Sequence, residues 1–431
     1  MVTVLAFLFV LGVLVFVHEL GHFLVARWHG VRVLTFSLGF GPKLVKLTRG
    51  GTEYCVSAIP LGGYVKLAGE TVEDTQTGAP DEFLSKSKWV RFQVYVAGPV
   101  MNILLAVVVA AIVLSRGADI PVYRSAPPVV GSVKADSPAA RAGIQLGDRI
   151  LTVDGAPVDT WDALEMAIVP KAGRELGLIV VRGPERLTLR VTPQAVGSYE
   201  MGDLGIGPVL RPQITQVNPG SPAEGAGLER GDVFLAVNGE RDLADQQIVE
   251  RIRASADVPI VLTMERGGRP IDITVTPRGT QGAALIGVSL SGYEVTRIDP
   301  SIVEAIGLSV QQNWENTLLI GRTLGGLVTR ETPVRQLMGP VGIAQLSGSA
   351  AELGWVALLN LMAMISLNLG LLNLMPVPVL DGGHIAILAV EGLSRRDLSV
   401  RVKERILVAG AALMVLLMVT VIYNDIARLL R

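Results

Sequence analysis

The run VLVFVHELGHFLVAR, Val13–Arg27, sets His18, Glu19 and His22 inside a segment otherwise apolar enough for lipid. On a helix, residues four apart share a face, so the two imidazoles project side by side and Glu19 lies one position round. Each charged group near the centre of a spanning helix costs on the order of 3 kcal/mol. That cost disfavours lipid-facing placement and favours a setting of protein or a polar cavity. H-E-x-x-H on a helix is the pattern in which two imidazoles hold Zn2+ and the glutamate handles a proton of water. The alternative is a polar helix-packing contact or a proton relay.

Working outward, the chain has 431 residues, 50% of them hydrophobic and only 18% charged, with a formal net charge of −1. That balance points to an integral membrane protein, and the absence of a basic domain argues against nucleic acid. The single cysteine, Cys55, excludes an intramolecular disulfide framework and a Cys-rich zinc site. Any zinc must be held by His and carboxylates.

Four runs approach the roughly 20 apolar residues that a spanning helix needs: about Val4–Ala26, Val94–Leu114, Gly354–Leu374 and Ile406–Tyr423. The first has no basic residues before it and no small-x-small cleavage site, so it reads as a retained helix rather than a signal peptide. Four spans put both ends of the chain on one side, together with the long, less apolar segment between spans two and three. Basic residues crowd the other side: Arg27, Arg32, Lys43, Lys46, Lys86, Lys88 and Arg91, then Arg395, Arg396, Arg401, Lys403 and Arg405. The positive-inside rule makes that side cytoplasmic.

Within the outer segment, VKADSPAARAGIQLGDRILTVDG (Val133–Gly155) recurs 84 residues later as VNPGSPAEGAGLERGDVFLAVNG (Val217–Gly239), with 11 of 23 positions identical. A unit of that size is a domain rather than a solenoid repeat. Its punctuation reads as helix, turn, then strand, and the pattern resembles the PDZ domains of bacterial envelope proteases. That resemblance implies peptide binding by strand addition, with Leu204–Ile206 and Ile286–Val288 similar to peptide-cradling loops. A tandem acting only as a steric cap is the equal alternative.

Two histidines do not complete a catalytic zinc site, which takes three protein ligands. In NLMPVPVLDGGH, Asn373–His384, at the end of span three, Asp381 and His384 are the metal-capable side chains. Spans one and three run the same way, so both end on one face. Pro376 and Pro378 break any continuing helix and let the chain turn back toward His18 and His22.

H-E-x-x-H in span one, with N-x-x-P-x-P-x-L-D-G at the end of a later span, resembles the site-2 protease family of intramembrane zinc metalloproteases. Tandem PDZ domains between spans two and three are similar to its regulator of sigma-E protease subgroup, as are AGPVMN (Ala97–Asn102) and MGPVGIAQ (Met338–Gln345). The resemblance implies one Zn2+ per chain on His18, His22 and Asp381, with Glu19 as general base. It implies that Asn373 contacts substrate backbone or the oxyanion, and leaves His384 in a supporting place. The loop Ser37–Leu67, with strand-like stretches around Arg49-Gly50-Gly51, resembles a membrane-associated β-loop that holds substrate as an added strand; an ordinary cytoplasmic hairpin is the alternative.

The expected fold class is thus a polytopic α-helical membrane protein with four transmembrane helices, two extracytoplasmic PDZ-like α/β domains and a membrane-associated β-hairpin. Expected segments are 1–118, 119–200, 201–290, 291–353 and 354–431: first two spans, first and second PDZ-like domains, linker with amphipathic helices, and last two spans. By resemblance, the expected function is hydrolysis of peptide bonds in or near the transmembrane helix of single-span substrates. These are anti-sigma-factor-like proteins pre-trimmed by another protease, and remnant signal peptides. The expected location is the inner membrane, with the active site near the cytoplasmic face. A scaffold with an inert metal site is opposed by the intact Glu19, and a proton-coupled transporter by the lack of inverted repeats.

Overall fold

A computed structural model describes residues 2–70, 77–197, 200–329 and 337–429. The chain forms two compact units, one of residues up to Arg116, Asp299–Val328 and the C-terminal helices, the other chiefly Gly117–Ile298.

The first unit contains helix α1 (Val2–Trp28), strands β1 (Val33–Arg49) and β2 (Thr52–Leu67), and helices α2 (Lys88–Leu114), α3 (Ile302–Val328), α4 (Pro340–Leu353), α5 (Trp355–Asn373), α6 (Asp381–Ser394) and α7 (Val400–Leu429). Among the described residues four helices are long and apolar enough to cross a membrane: α1, α2, α5 and α7. They coincide with the four runs read from the sequence.

Apolar side chains alone give no drive for helices to pair in lipid, so close contact relies on small residues. Glycine supplies the notches here. A Cβ on Gly21 of α1 would overlap the Ala97 carbonyl of α2 and lie 2.8 Å from Met101 Cγ. One on Gly370 of α5 would lie 2.9 Å from the Pro99 carbonyl, also on α2. Around these notches Val10, Leu14, Val109, Leu358, Leu361 and Met362 form one core cluster. α2 is thereby clamped between α1 and α5.

The MGPVGIAQ segment opens α4, and α7 explains its small residues. Asp425 accepts from Gly339 N at 3.1 Å and from Gly342 N at 3.0 Å, while Arg428 pairs with Asp425 and donates to the Leu337 carbonyl. A buried carboxylate from another helix thus caps the orphan N–H groups of α4.

β1 and β2 form more than the simple hairpin expected around Arg49-Gly50-Gly51. Residues 35–38 are flanked by 63–66 on one side and by 53–56 on the other, and 45–49 pair with 52–56. The hairpin is doubled over, bending where Gly39, Gly41 and Gly62 take φ of 88°, 86° and 121°, backbone that side chains resist. The segment 63–67 is left as an edge.

The second unit holds the repeat, and its motifs are structural devices. In each copy the SPA serine caps a short helix: Ser137 accepts from Ala140 N, and Ser221 from Glu224 N, with Pro138 and Pro222 at the first helical position. Asp154-Gly155 and Asn238-Gly239 have positive φ, as tight hairpin turns require. Their side chains accept from Gly177 N and Val261 N. The two copies build separate cores, one around Ile150, Leu164 and Leu178, the other around Phe234, Ile248 and Leu262.

One boundary differs from the sequence reading. The strand Ile206–Pro208, placed in the second domain by the 200/201 division, pairs with Val130–Val133, and Leu204 lies in the first core. The first domain therefore runs through Pro208. The last strands of the unit, Val295–Ile298, pair with its first, Ala118–Pro121, so the chain enters and leaves at one place.

In the GD motif, Asp148 is fully buried; Arg182 donates to both of its carboxylate oxygens at 2.8 Å and to the Gly143 carbonyl. Arg266 repeats this on Asp232 and Gly227. Asp148→Asn is expected to destabilise the first repeat by about 1.5–3 kcal/mol, the worth of a hydrogen bond to a charged group, read by faster hydrogen exchange at its core strands. Arg182 holds the Asp148 carboxyl below the usual carboxylate range, against the opposing effect of burial. Its stabilisation is complete above the ordinary value of about 3.9 and is lost as pH falls through the lowered folded value. Unchanged exchange in the variant would contradict this.

Candidate metal centre

His18 and His22 sit on one face of α1, as the spacing predicts. Their rings meet edge to face, with centroids 4.9 Å apart. At the far end of the chain α5 stops at Asn373, and the Pro376–Pro378 segment turns sharply. Asp381 is the first residue of α6. Gly382 and Gly383 make that turn possible, since a Cβ on either would overlap the Met375 or Val377 carbonyl. Val379 sits at φ 84°, a strained conformation for a β-branched residue.

The turn delivers Asp381 to the imidazoles. Its Oδ2 lies 3.1 Å from His18 Nε2 and its Oδ1 3.5 Å from His22 Nε2, and the two Nε2 atoms are 3.2 Å apart. The three side chains are 11%, 12% and 17% exposed, so water competes little for the donors. Two imidazole nitrogens and one carboxylate oxygen converging on a point make a suitable donor set for a hydrolytic zinc ion. His22 Nδ1 lies 2.7 Å from the Val94 carbonyl; donating there leaves Nε2 with its lone pair free.

His384, the other metal-capable side chain of the motif, is outside this cluster. Its ring stacks on Tyr95 of α2, centroids 4.8 Å apart at 9°, and Phe83 meets the other ring edge-on.

A cavity of about 260 Å³ opens beside the cluster. Glu19 and Asn373 line it, together with Gly63, Tyr64 and Val65 from the edge of β2 and with Glu70 and Tyr95. A Cβ on Gly63 would lie 3.1 Å from Glu19 Cγ, so the strand passes directly against that side chain. Among the described residues no hydrogen bond engages the Asn373 amide. The structure therefore brings His18, His22, Asp381, Glu19 and Asn373 to one place.

Two residues of AGPVMN have a role here that their sequence did not disclose. A Cβ on Gly98 would overlap His22 Nε2 and lie 2.8 Å from His18 Nε2; Asn102, fully buried, meets His18 Nδ1 at 3.1 Å. A buried amide in an apolar span is itself a signal, because such a group needs a partner. A glycine gives none.

The sequence matches Peptidase family M50 over residues 6–417. It is 35% identical to Protease RseP of Yersinia pestis over 98% of both chains. It is 36% identical to Regulator of sigma-E protease RseP of Escherichia coli (strain K12), again over 98% of both. One solved structure, the PDZ domain of an SdrC-like protein from Listeria monocytogenes, aligns over 21% of this chain and 94% of its own, with 24% identity and a TM-score of 0.18. Matched along nearly all its length, the chain belongs to Peptidase family M50, the site-2 protease family, and is a zinc metalloprotease.

Proposed function

We propose that this membrane protease holds one zinc ion on His18, His22 and Asp381 and hydrolyses peptide bonds in or near the transmembrane helix of single-span substrates. The observation that carries the reading is the convergence of donor atoms from α1 and α6, within 4.8 Å of one another, beside a cavity containing a carboxyl group.

Zinc bound there would polarise the scissile carbonyl and lower the pKa of water toward neutrality. Glu19 takes the proton from the attacking water and later delivers it to the leaving amine. Asn373 donates from its amide to the substrate backbone or the developing oxyanion. A peptide bond within a helix is shielded by its own hydrogen bonds. The edge 63–67 offers it alternative partners: an unwound substrate adds there as a strand and passes Glu19.

The outer repeats act as a filter in this reading, and the second also as a peptide site. Between Val288–Ser291 and the helix Asp245–Ala254 lies a cavity of about 480 Å³, lined by apolar Ile286, Val288 and Leu290 and by polar Asn218 and Arg253. Such a groove suits a peptide added to the strand. The substrates are anti-sigma-factor-like proteins trimmed beforehand by another protease, and remnant signal peptides. The naming of relatives as regulators of sigma-E supports the first class. The basic loops favour an inner-membrane orientation with the metal centre near the cytoplasmic face and the repeats outside.

The test is cleavage in proteoliposomes of a single-span substrate with and without a bulky folded outer domain. The trimmed form is expected to be cut at least tenfold faster, about 1.4 kcal/mol of barrier, and only when zinc is present. Equal rates would remove the filter. Cleavage that survives a zinc chelator would remove the metal mechanism.

A further inference from the structure

A metal-bound imidazole nitrogen must present a lone pair, so the other ring nitrogen carries the proton and needs an acceptor. His22 meets this demand through the Val94 carbonyl. For His18 the neighbour at Nδ1 is the Asn102 side chain, reached across the α1–α2 contact at 3.1 Å. With its nitrogen toward the ring, the amide leaves Oδ1 buried and without a hydrogen bond. The two ends of a carboxamide are told apart by their hydrogen bonds. Turning the amide over places Oδ1 on the ring nitrogen, where it can accept.

We propose that Asn102 is a positioning residue of the metal centre: its side-chain oxygen accepts from His18 Nδ1–H and so leaves the Nε2 lone pair free for the ion that His18, His22 and Asp381 would share. The backbone around it is fixed, since Ser366 of α5 donates to the Asn102 carbonyl at 2.7 Å with both residues fully buried. Asn102 thus joins three helices at the depth of the metal donors. Without zinc, the opposite arrangement is consistent: His18 Nε2–H donates to Asp381 Oδ2 and the amide donates to Nδ1. Loading the site would replace the first of these hydrogen bonds, whose two atoms become metal donors, and reverse the second.

This inference rests on the proposed zinc ligands, and the experiment separates the two. Zinc affinity is measured by competition with a chromophoric chelator on the full chain in nanodiscs, for the parent protein, Asp381→Asn, Asn102→Leu and Asn102→Asp. Asp381→Asn must weaken zinc binding; if it does not, the ligand set itself is wrong. With that established, Asn102→Leu is expected to weaken zinc binding about 10–100-fold, the usual effect of losing such a partner. Asn102→Asp keeps an acceptor and is expected to stay within about threefold of the parent or bind tighter. The Asp variant decides even if the Leu variant fails to fold. If Asp weakens binding by tenfold or more, the amide acts as a donor, and the proposal is overturned. Parent-like affinity in a folded Leu variant overturns it as well.

Discussion

Glu19→Gln is expected to abolish cleavage of a single-span substrate while leaving zinc bound and the protein folded. The amide matches the carboxylate in shape and keeps the wall of the cavity opposite Gly63, but it cannot take up a proton. Positioned acid–base groups contribute about 10²–10⁴-fold, so kcat should fall by that factor with little change in KM. Zinc content should stay at one per chain, because Glu19 is outside the donor cluster of His18, His22 and Asp381. A variant retaining cleavage within a few-fold of the parent would assign the proton transfer elsewhere. Loss of zinc together with activity would make Glu19 a support of the site rather than its base.

Gly98→Ala should damage the same reaction by another route. The added methyl would overlap His22 Nε2 and lie 2.7 Å from His22 Cε1 and 2.8 Å from His18 Nε2, where carbon contacts are comfortable at about 3.5–4.0 Å. α2 cannot simply retreat, because Gly21 and Gly370 seat it against α1 and α5. The imidazoles must turn instead, and misplacement by about 1 Å costs on the order of 10²-fold in rate. Overpacking adds about 1–3 kcal/mol of destabilisation. Zinc titration and cleavage assays on the folded variant check this. Parent-like zinc affinity and rate would mean that the α1–α2 contact at the metal centre is looser than described.

These two residues also mark how far the sequence can be read. Glu19 and its histidines are legible because ionisable groups inside an apolar run demand a reason, and i, i+4 spacing supplies one. Asp381 was narrowed to a pair, since spacing alone leaves His384 open. In space the turn after Pro376 brings Asp381 beside the two imidazoles, while His384 stacks on Tyr95. Gly98 carries no chemistry, and its importance exists only once the imidazoles lie against it. The repeat was legible because its motifs are local: a serine cap, a proline at N1, a Gly turn. The end of the first repeat is not legible in the sequence, because Ile206–Pro208 is tied to Val130–Val133 by pairing across more than seventy residues. Likewise the alternation around Arg49 disclosed a hairpin but not its doubling, which depends on where glycines let the strands bend.

Whether side chains from distant parts of the chain share one ion is decided by zinc X-ray absorption on the full chain in nanodiscs. One zinc per chain is expected, with two imidazole nitrogens at about 2.0–2.1 Å and oxygen in the remaining positions. The imidazole signature should be weakened in each of the His18→Ala and His22→Ala variants, and the oxygen shell altered in Asp381→Ala. A parent-like spectrum in Asp381→Ala, or zinc that stays bound after both histidines are removed, would contradict a shared ion.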